Sequence, residues 1–168
     1  MSSDACADGA STPPGMQKLP EHDHLQRLVG TWHGAMSCMT PDGTEMSSEG
    51  IMVTTAHGGF HTIDSYEGNV MGAPYKGHGV NSYCPLRKQF MSTWTDSMTG
   101  CPLQLAGQYD AASKTITMHG EAFGPAGLAP CFTKTTFVSD DRVDWEFYGE
   151  VPGVGSMRFL RIEYTRKK

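Results

Sequence analysis

Asp96 is the residue in this chain best placed by pattern to move a proton. It ends the run Gln89-Phe90-Met91-Ser92-Thr93-Trp94-Thr95-Asp96, where Phe90, Ser92, Trp94 and Asp96 share one side of a period-two alternation. The bulky aromatic residues mark that side as inward. A carboxyl in an apolar cavity holds its proton to higher pH, which suits a general acid or base near neutrality. The competing reading is local: Asp96 caps the turn Asp96-Ser97-Met98-Thr99 by accepting from backbone N–H groups. His22 and His24 flank Asp23. If their segment closes one end of a cavity, His22 could carry a proton or hold a ligand. The bland alternative is packing on the lip. His61 is a further candidate proton partner for Asp96.

Metal chemistry is less well supported. His61, His78 and His119 fall on three separate segments. Two of them could meet as ligands, with Glu67 or Glu121 adding an oxygen. No helical HExxH motif supports such a set, so no metal and no cofactor are expected. Haem or metal binding through His61 or His78 is the weakest of the readings. Eleven methionines and five cysteines invite a copper reading, because soft sulfur ligands suit Cu(I). Only Met36, Cys38 and Met39 lie close together, and methionine as an adaptable pocket lining is the simpler account. The glycine-rich pieces Gly77-His78-Gly79 and Gly149 to Gly155 lack the Gly-Lys-Ser/Thr of a phosphate loop.

Positioning such residues calls for an all-β scaffold. The 168 residues include 20 glycines and 10 prolines, which suit short strands and tight turns. A formal charge of -5 argues against a nucleic-acid surface. The basic end Arg166-Lys167-Lys168 reads as solvated. No stretch approaches the roughly 20 apolar residues of a membrane helix. The start of the chain lacks the features of a secretory signal, so the cytoplasm is expected. The cysteines have no CxxC spacing and read as reduced thiols.

Residues 1–18 have almost nothing to bury and are expected to form a disordered tail before one domain over 19–168. Pro20-Glu21-His22-Asp23 opens a short helix, Leu25, Leu28 and Val29 give it an apolar stripe, and Gly30 ends it. Alternation then predicts strands over 31–39, 44–56, 60–68, 77–83, 89–96, 103–110, 115–121, 131–139, 142–149 and 157–165. Strands in this number with no helix between them predict an antiparallel sandwich or barrel, and closure into a barrel removes exposed edges. By parity Ile116, Met118, Val143, Trp145, Phe147, Leu160, Ile162 and Tyr164 point inward, and His119 points outward.

Several motifs in order carry a resemblance. Leu28-Val29-Gly30-Thr31-Trp32 resembles the opening of the calycins, where the Trp packs under the barrel floor. Pro20-Glu21-His22, Leu28 to Trp32 with Gly34, Tyr66-Glu67-Gly68, Gly77-His78-Gly79, Tyr83, Thr93 to Met98, Gly120-Glu121 and Ile162 to Lys167 resemble domain-of-unknown-function family 1579. The resemblance implies a calycin (lipocalin-like) antiparallel β-barrel of roughly 8–10 strands, with a short N-terminal helix closing one end. It implies no reaction. Against that pattern His61 and Asn81 replace apolar residues at positions expected to face inward, and Cys84 replaces a turn Asp. The first two suggest a more polar cavity.

The leading functional expectation is binding of one small apolar or aromatic molecule. The barrel interior would hold it through Phe90, Trp94, Met118, Trp145 and Phe147, with Tyr66, His78, Asn81 and His61. The alternative is a cofactor-free lyase, isomerase or cyclase in which Asp96, with a His or Tyr, transfers a proton. A small molecule is the expected partner, and a homodimer is left open.

Overall fold

The computed structural model describes residues 12–40, 43–124 and 127–168. A 3-10 turn, Pro14–Met16, and helix α1, Pro20–Gln26, precede ten strands. These are β1 (Gly30–Met39), β2 (Glu45–His57), β3 (His61–Val70), β4 (Ala73–Cys84), β5 (Gln89–Asp96), β6 (Leu103–Asp110), β7 (Thr115–Gly124), β8 (Gly127–Phe137), β9 (Arg142–Val151) and β10 (Gly155–Arg166). Each strand pairs antiparallel with the next, and β1 pairs with β10 to close the barrel. Residues 1–11 of the expected tail lie outside the described residues.

The alternation read from the sequence selects the interior. Phe90, Ile116, Met118, Val143, Ile162 and Tyr164 are buried in one core, while His119, on the other parity of β7, is exposed. Strands β3 and β4 run further than expected, because Met71 and Gly72 turn the chain in two residues, both at positive φ (52° and 81°). That matches a type I′ hairpin, so the ladder continues through Asn69, Val70 and Ala73 to Lys76. Strand β8 likewise starts at Gly127, not at Cys131.

Helix α1 is shorter than its apolar stripe. After Gln26 the N–H groups of Leu28 and Val29 bond back three residues, to Leu25 and Gln26 (3.0 and 3.2 Å), which tightens the last turn. Gly30 is therefore the first residue of β1, with φ 139°, and not the helix cap. Trp32 is buried beneath this junction, and its Nε1 donates to the Leu28 carbonyl at 2.7 Å. The Arg166 guanidinium lies 4.0 Å from the Trp32 ring centroid. It donates to the carbonyls of Val29 and Arg27 at 2.8 Å each and of Asp140 at 3.1 Å. One side chain from the last strand thus satisfies carbonyls left free by the helix end, and locks the barrel closure from outside.

Cys38, Cys84, Cys101 and Cys131 are free thiols. Among the described residues no helix is long and apolar enough to cross a membrane.

Candidate functional site

The barrel encloses a cavity of about 220 Å³. Its lining comes from every strand and from Leu25 and Leu28 at the covered end. Most of the lining is apolar or aromatic: Trp32, Tyr66, Tyr75, Phe90, Trp94, Trp145 and Tyr164 supply rings, and Met36, Met52 and Met118 fill between them. Lysine, arginine and histidine are absent from the described lining.

Glycines make room for the large rings. A Cβ on Gly77 or Gly79 would meet the Trp94 ring at 2.1 or 2.8 Å, so the Gly77-His78-Gly79 segment is the bed on which that indole lies. In the same way Gly50 and Gly68 leave space for the Tyr66 hydroxyl. That hydroxyl is buried and has no hydrogen-bond partner among the described residues. The Tyr66 and Tyr75 rings meet edge to face at 5.8 Å, and Trp94 Nε1 donates to Tyr75 Oη at 2.9 Å.

Among the described residues one carboxyl group lines this cavity, that of Asp64. Its Oδ1 accepts from Thr54 Oγ1 and its Oδ2 from Asn81 Nδ2, both at 2.7 Å. Asn81 Nδ2 also reaches Thr62 Oγ1 at 3.3 Å. Burial pushes the Asp64 pKa above the ordinary carboxylate value, and the two hydrogen bonds hold it back only in part. Tyr164 is desolvated and lies near Tyr66, Asp64 and Tyr75, which raises its hydroxyl pKa well above the usual range. Burial also raises the hydroxyl pKa values of Tyr66 and Tyr75. Asp64 was missed in the sequence, yet parity could have found it: Thr62, Asp64 and Tyr66 alternate on one side of β3, and Tyr66 is too large to face water.

The other expected residues divide. Tyr66, Asn81, Phe90, Trp94, Met118 and Trp145 all line the cavity. Phe147 shares their side of β9 but packs against the core beside Trp145, with ring centroids 6.4 Å apart, and is not part of the lining. His61 and His78 are corrections: both side chains are exposed on the outside of the barrel. On β3 the inward parity belongs to Thr62, Asp64 and Tyr66, which forces His61 out, where it meets His57 at 6.3 Å. On β4 it belongs to Gly77, Gly79 and Asn81, which forces His78 out. Neither joins the cavity or Asp96.

His22 is buried, but under the helix and outside the cavity lining. Its Nδ1 accepts from the Leu19 N–H at 2.9 Å, and its ring meets Phe60 and Tyr83 edge-on at 5.3 and 5.6 Å. It works there as a helix-start wedge. Asp96 sits at the opposite end of the barrel. Its Oδ1 accepts from the N–H groups of Met98 and Thr99 at 2.8 and 3.1 Å, the turn cap weighed above. Its carboxyl also lies beside the Tyr75 hydroxyl and adds to the upward shift of that group. Among the described residues no three His, Cys, Asp or Glu side chains come together as metal ligands.

Comparison with solved structures finds the same barrel elsewhere. The structure of Rv2717c from M. tuberculosis is 13% identical, with a TM-score of 0.68 over 90% of this chain and 100% of that one. The S-type phycobiliprotein lyase CPES from Guillardia theta is 15% identical, with a TM-score of 0.61 over 90% of this chain and 94% of that one. A redesigned β-barrel, mFAP0, bound to DFHBI, is 18% identical over 84% of this chain and 100% of that one, with a TM-score of 0.49. At these identities the likeness is one of fold. A comparison with curated proteins finds no match. The family model described as "Protein of unknown function (DUF1579)" matches residues 17–166, and the chain belongs to that family.

Proposed function

We propose that this barrel binds one small, mainly apolar or aromatic molecule in its interior. The observation that carries the reading is the barrel cavity of about 220 Å³, ringed by aromatic side chains with a few polar groups gathered round Asp64. Sites for small molecules are concave and mostly apolar, with a few placed polar groups. The volume is below the roughly 300–1,000 Å³ of drug-sized pockets, so the occupant is about the size of a substituted naphthalene. The structural neighbour named as an S-type phycobiliprotein lyase accords with an occupied barrel, but the cavity itself is the argument. The cytoplasm is the proposed location, on the sequence grounds given above.

The test uses prodan, a neutral naphthalene ketone whose emission shifts to the blue in apolar surroundings. Saturable binding, a blue shift and a raised melting temperature are expected. A ligand at 100 times its Kd adds about 2.7 kcal/mol to stability. No binding by prodan or by naphthalenes of similar size would overturn the reading.

The proton-transfer alternative would pair Asp96 with Tyr75, whose hydroxyl pKa the Asp96 charge helps to raise. If that pair is catalytic, Asp96→Asn abolishes turnover of a substrate without loss of affinity. Unchanged turnover removes Asp96 from the chemistry.

A further inference from the structure

The cavity has a carboxylate and no cation to balance it. Among the described residues Asp64 makes no ion pair; its partners are the neutral Thr54 and Asn81. The described lining holds no Lys, Arg or His. A carboxylate taken out of water is costly unless it is paired, and here the protein supplies only hydrogen bonds. Each Asp64 oxygen accepts one of them, which leaves acceptor capacity for a ligand.

The walls next to Asp64 are aromatic. Tyr66 lies two residues further along the same side of β3. The Trp94 ring covers Gly79, whose absent Cβ would stand 3.5 Å from the Asp64 Cβ. Tyr75 is tied to Trp94, and the buried Tyr164 lies near Asp64. Aromatic faces attract cations, most strongly when both are desolvated.

We propose that this site selects a lipophilic organic cation, an arylalkylamine in its ammonium form, with Asp64 as its counter-ion and the rings of Tyr66, Tyr75 and Trp94 round the charged group. The proposal rests on the cavity being a ligand site at all, and it adds the charge of the ligand. An uncharged molecule of equal shape would leave Asp64 buried without a partner charge. The site therefore discriminates by charge as well as by size.

The experiment compares 2-naphthylmethylamine with 2-naphthylmethanol, which have nearly the same shape and differ in charge at neutral pH. Both are titrated into the full-length protein and into Asp64→Asn, with prodan as the neutral control. In Asp64→Asn the amide can accept from Asn81 and donate to Thr54, whose hydroxyl can reverse, so the network persists. The amine is expected to bind the unaltered protein at least about tenfold more tightly than the alcohol. In Asp64→Asn that ratio should fall to near one through loss of amine affinity. Equal binding of the two compounds by the unaltered protein overturns the proposal without needing the variant. A preference that survives Asp64→Asn also overturns it. If prodan and the alcohol bind and the amine gains nothing, the charge selection fails and the ligand site stands. If none of the three binds, both fail.

Discussion

Under α1, Trp32, Arg166 and His22 are packed and bonded to backbone groups of the helix junction. At the other end the turns and strand ends carry Met71, Met98, Phe123, Leu128 and Val154 with about half to two-thirds of their surface exposed (49–68%). The covered end also exposes Leu86 and Val138 in its turns (73% and 49%), yet it is closed by a helix with packed side chains beneath it. The mouth has no such cover among the described residues, and its exposed side chains add nothing to the core. The contrast assigns stability to the covered end and access to the mouth, with the Asp64 cavity between them.

The contrast breaks first at Trp32. Trp32→Ala should cost about 3–5 kcal/mol in urea unfolding, as for other large buried aromatics. Arg166→Ala should follow at about 2 kcal/mol, from lost charge-assisted hydrogen bonds and the stacked indole. A cost near zero for either would mean that the helix junction does not hold the barrel shut.

A smaller effect is expected at the wall. Gly77→Ala places a methyl 2.1 Å from the Trp94 ring, so the indole must move. A cost of about 1–3 kcal/mol and a changed tryptophan emission are expected. An unchanged spectrum would show that Trp94 does not lie on the glycine bed.

The pH dependence isolates Asp64. Its folded pKa is raised by burial above the unfolded value. Stability associated with the protonated group is present below the unfolded pKa and is lost as pH rises through the folded one. Melting temperatures of the unaltered protein and Asp64→Asn should therefore diverge with rising pH, in favour of the variant, and then level off. A constant difference from acid to neutral pH would contradict a desolvated carboxyl.

The smallest effect belongs to the mouth. Phe123→Ser with Leu128→Ser should change stability by no more than about 0.5 kcal/mol, since both side chains are exposed. Prodan association kinetics, measured by stopped flow, should change instead. Unfolding of this variant would show that the rim is structural.

The barrel was legible because alternation and turn residues agree along most of the chain. The inward sides of β5, β7, β9 and β10 follow directly from their aromatic and aliphatic residues. The candidate site was legible only in part. Phe90, Trp94 and Asn81 are readable from the alternation, but Asp64 is not singled out by it, because Tyr66 and His61, on opposite sides of the same strand, are both expected inside. Parity says which side a residue takes, and a single misjudged residue such as His61 reverses the segment. It also says nothing about which carboxyl is buried in mid-strand and which caps a turn, and that is the physical difference between Asp64 and Asp96.

The central claim is that an apolar ligand sits inside the barrel. The methionines allow the most direct test, with ¹³C-labelled methyl groups observed by NMR during a prodan titration. Met36, Met52, Met91 and Met118 line the cavity, while Met16 is exposed and outside it. The account predicts saturable shifts at the four cavity methyls with a common Kd, and no shift at Met16. Binding that leaves Met36, Met52, Met91 and Met118 unmoved would contradict it.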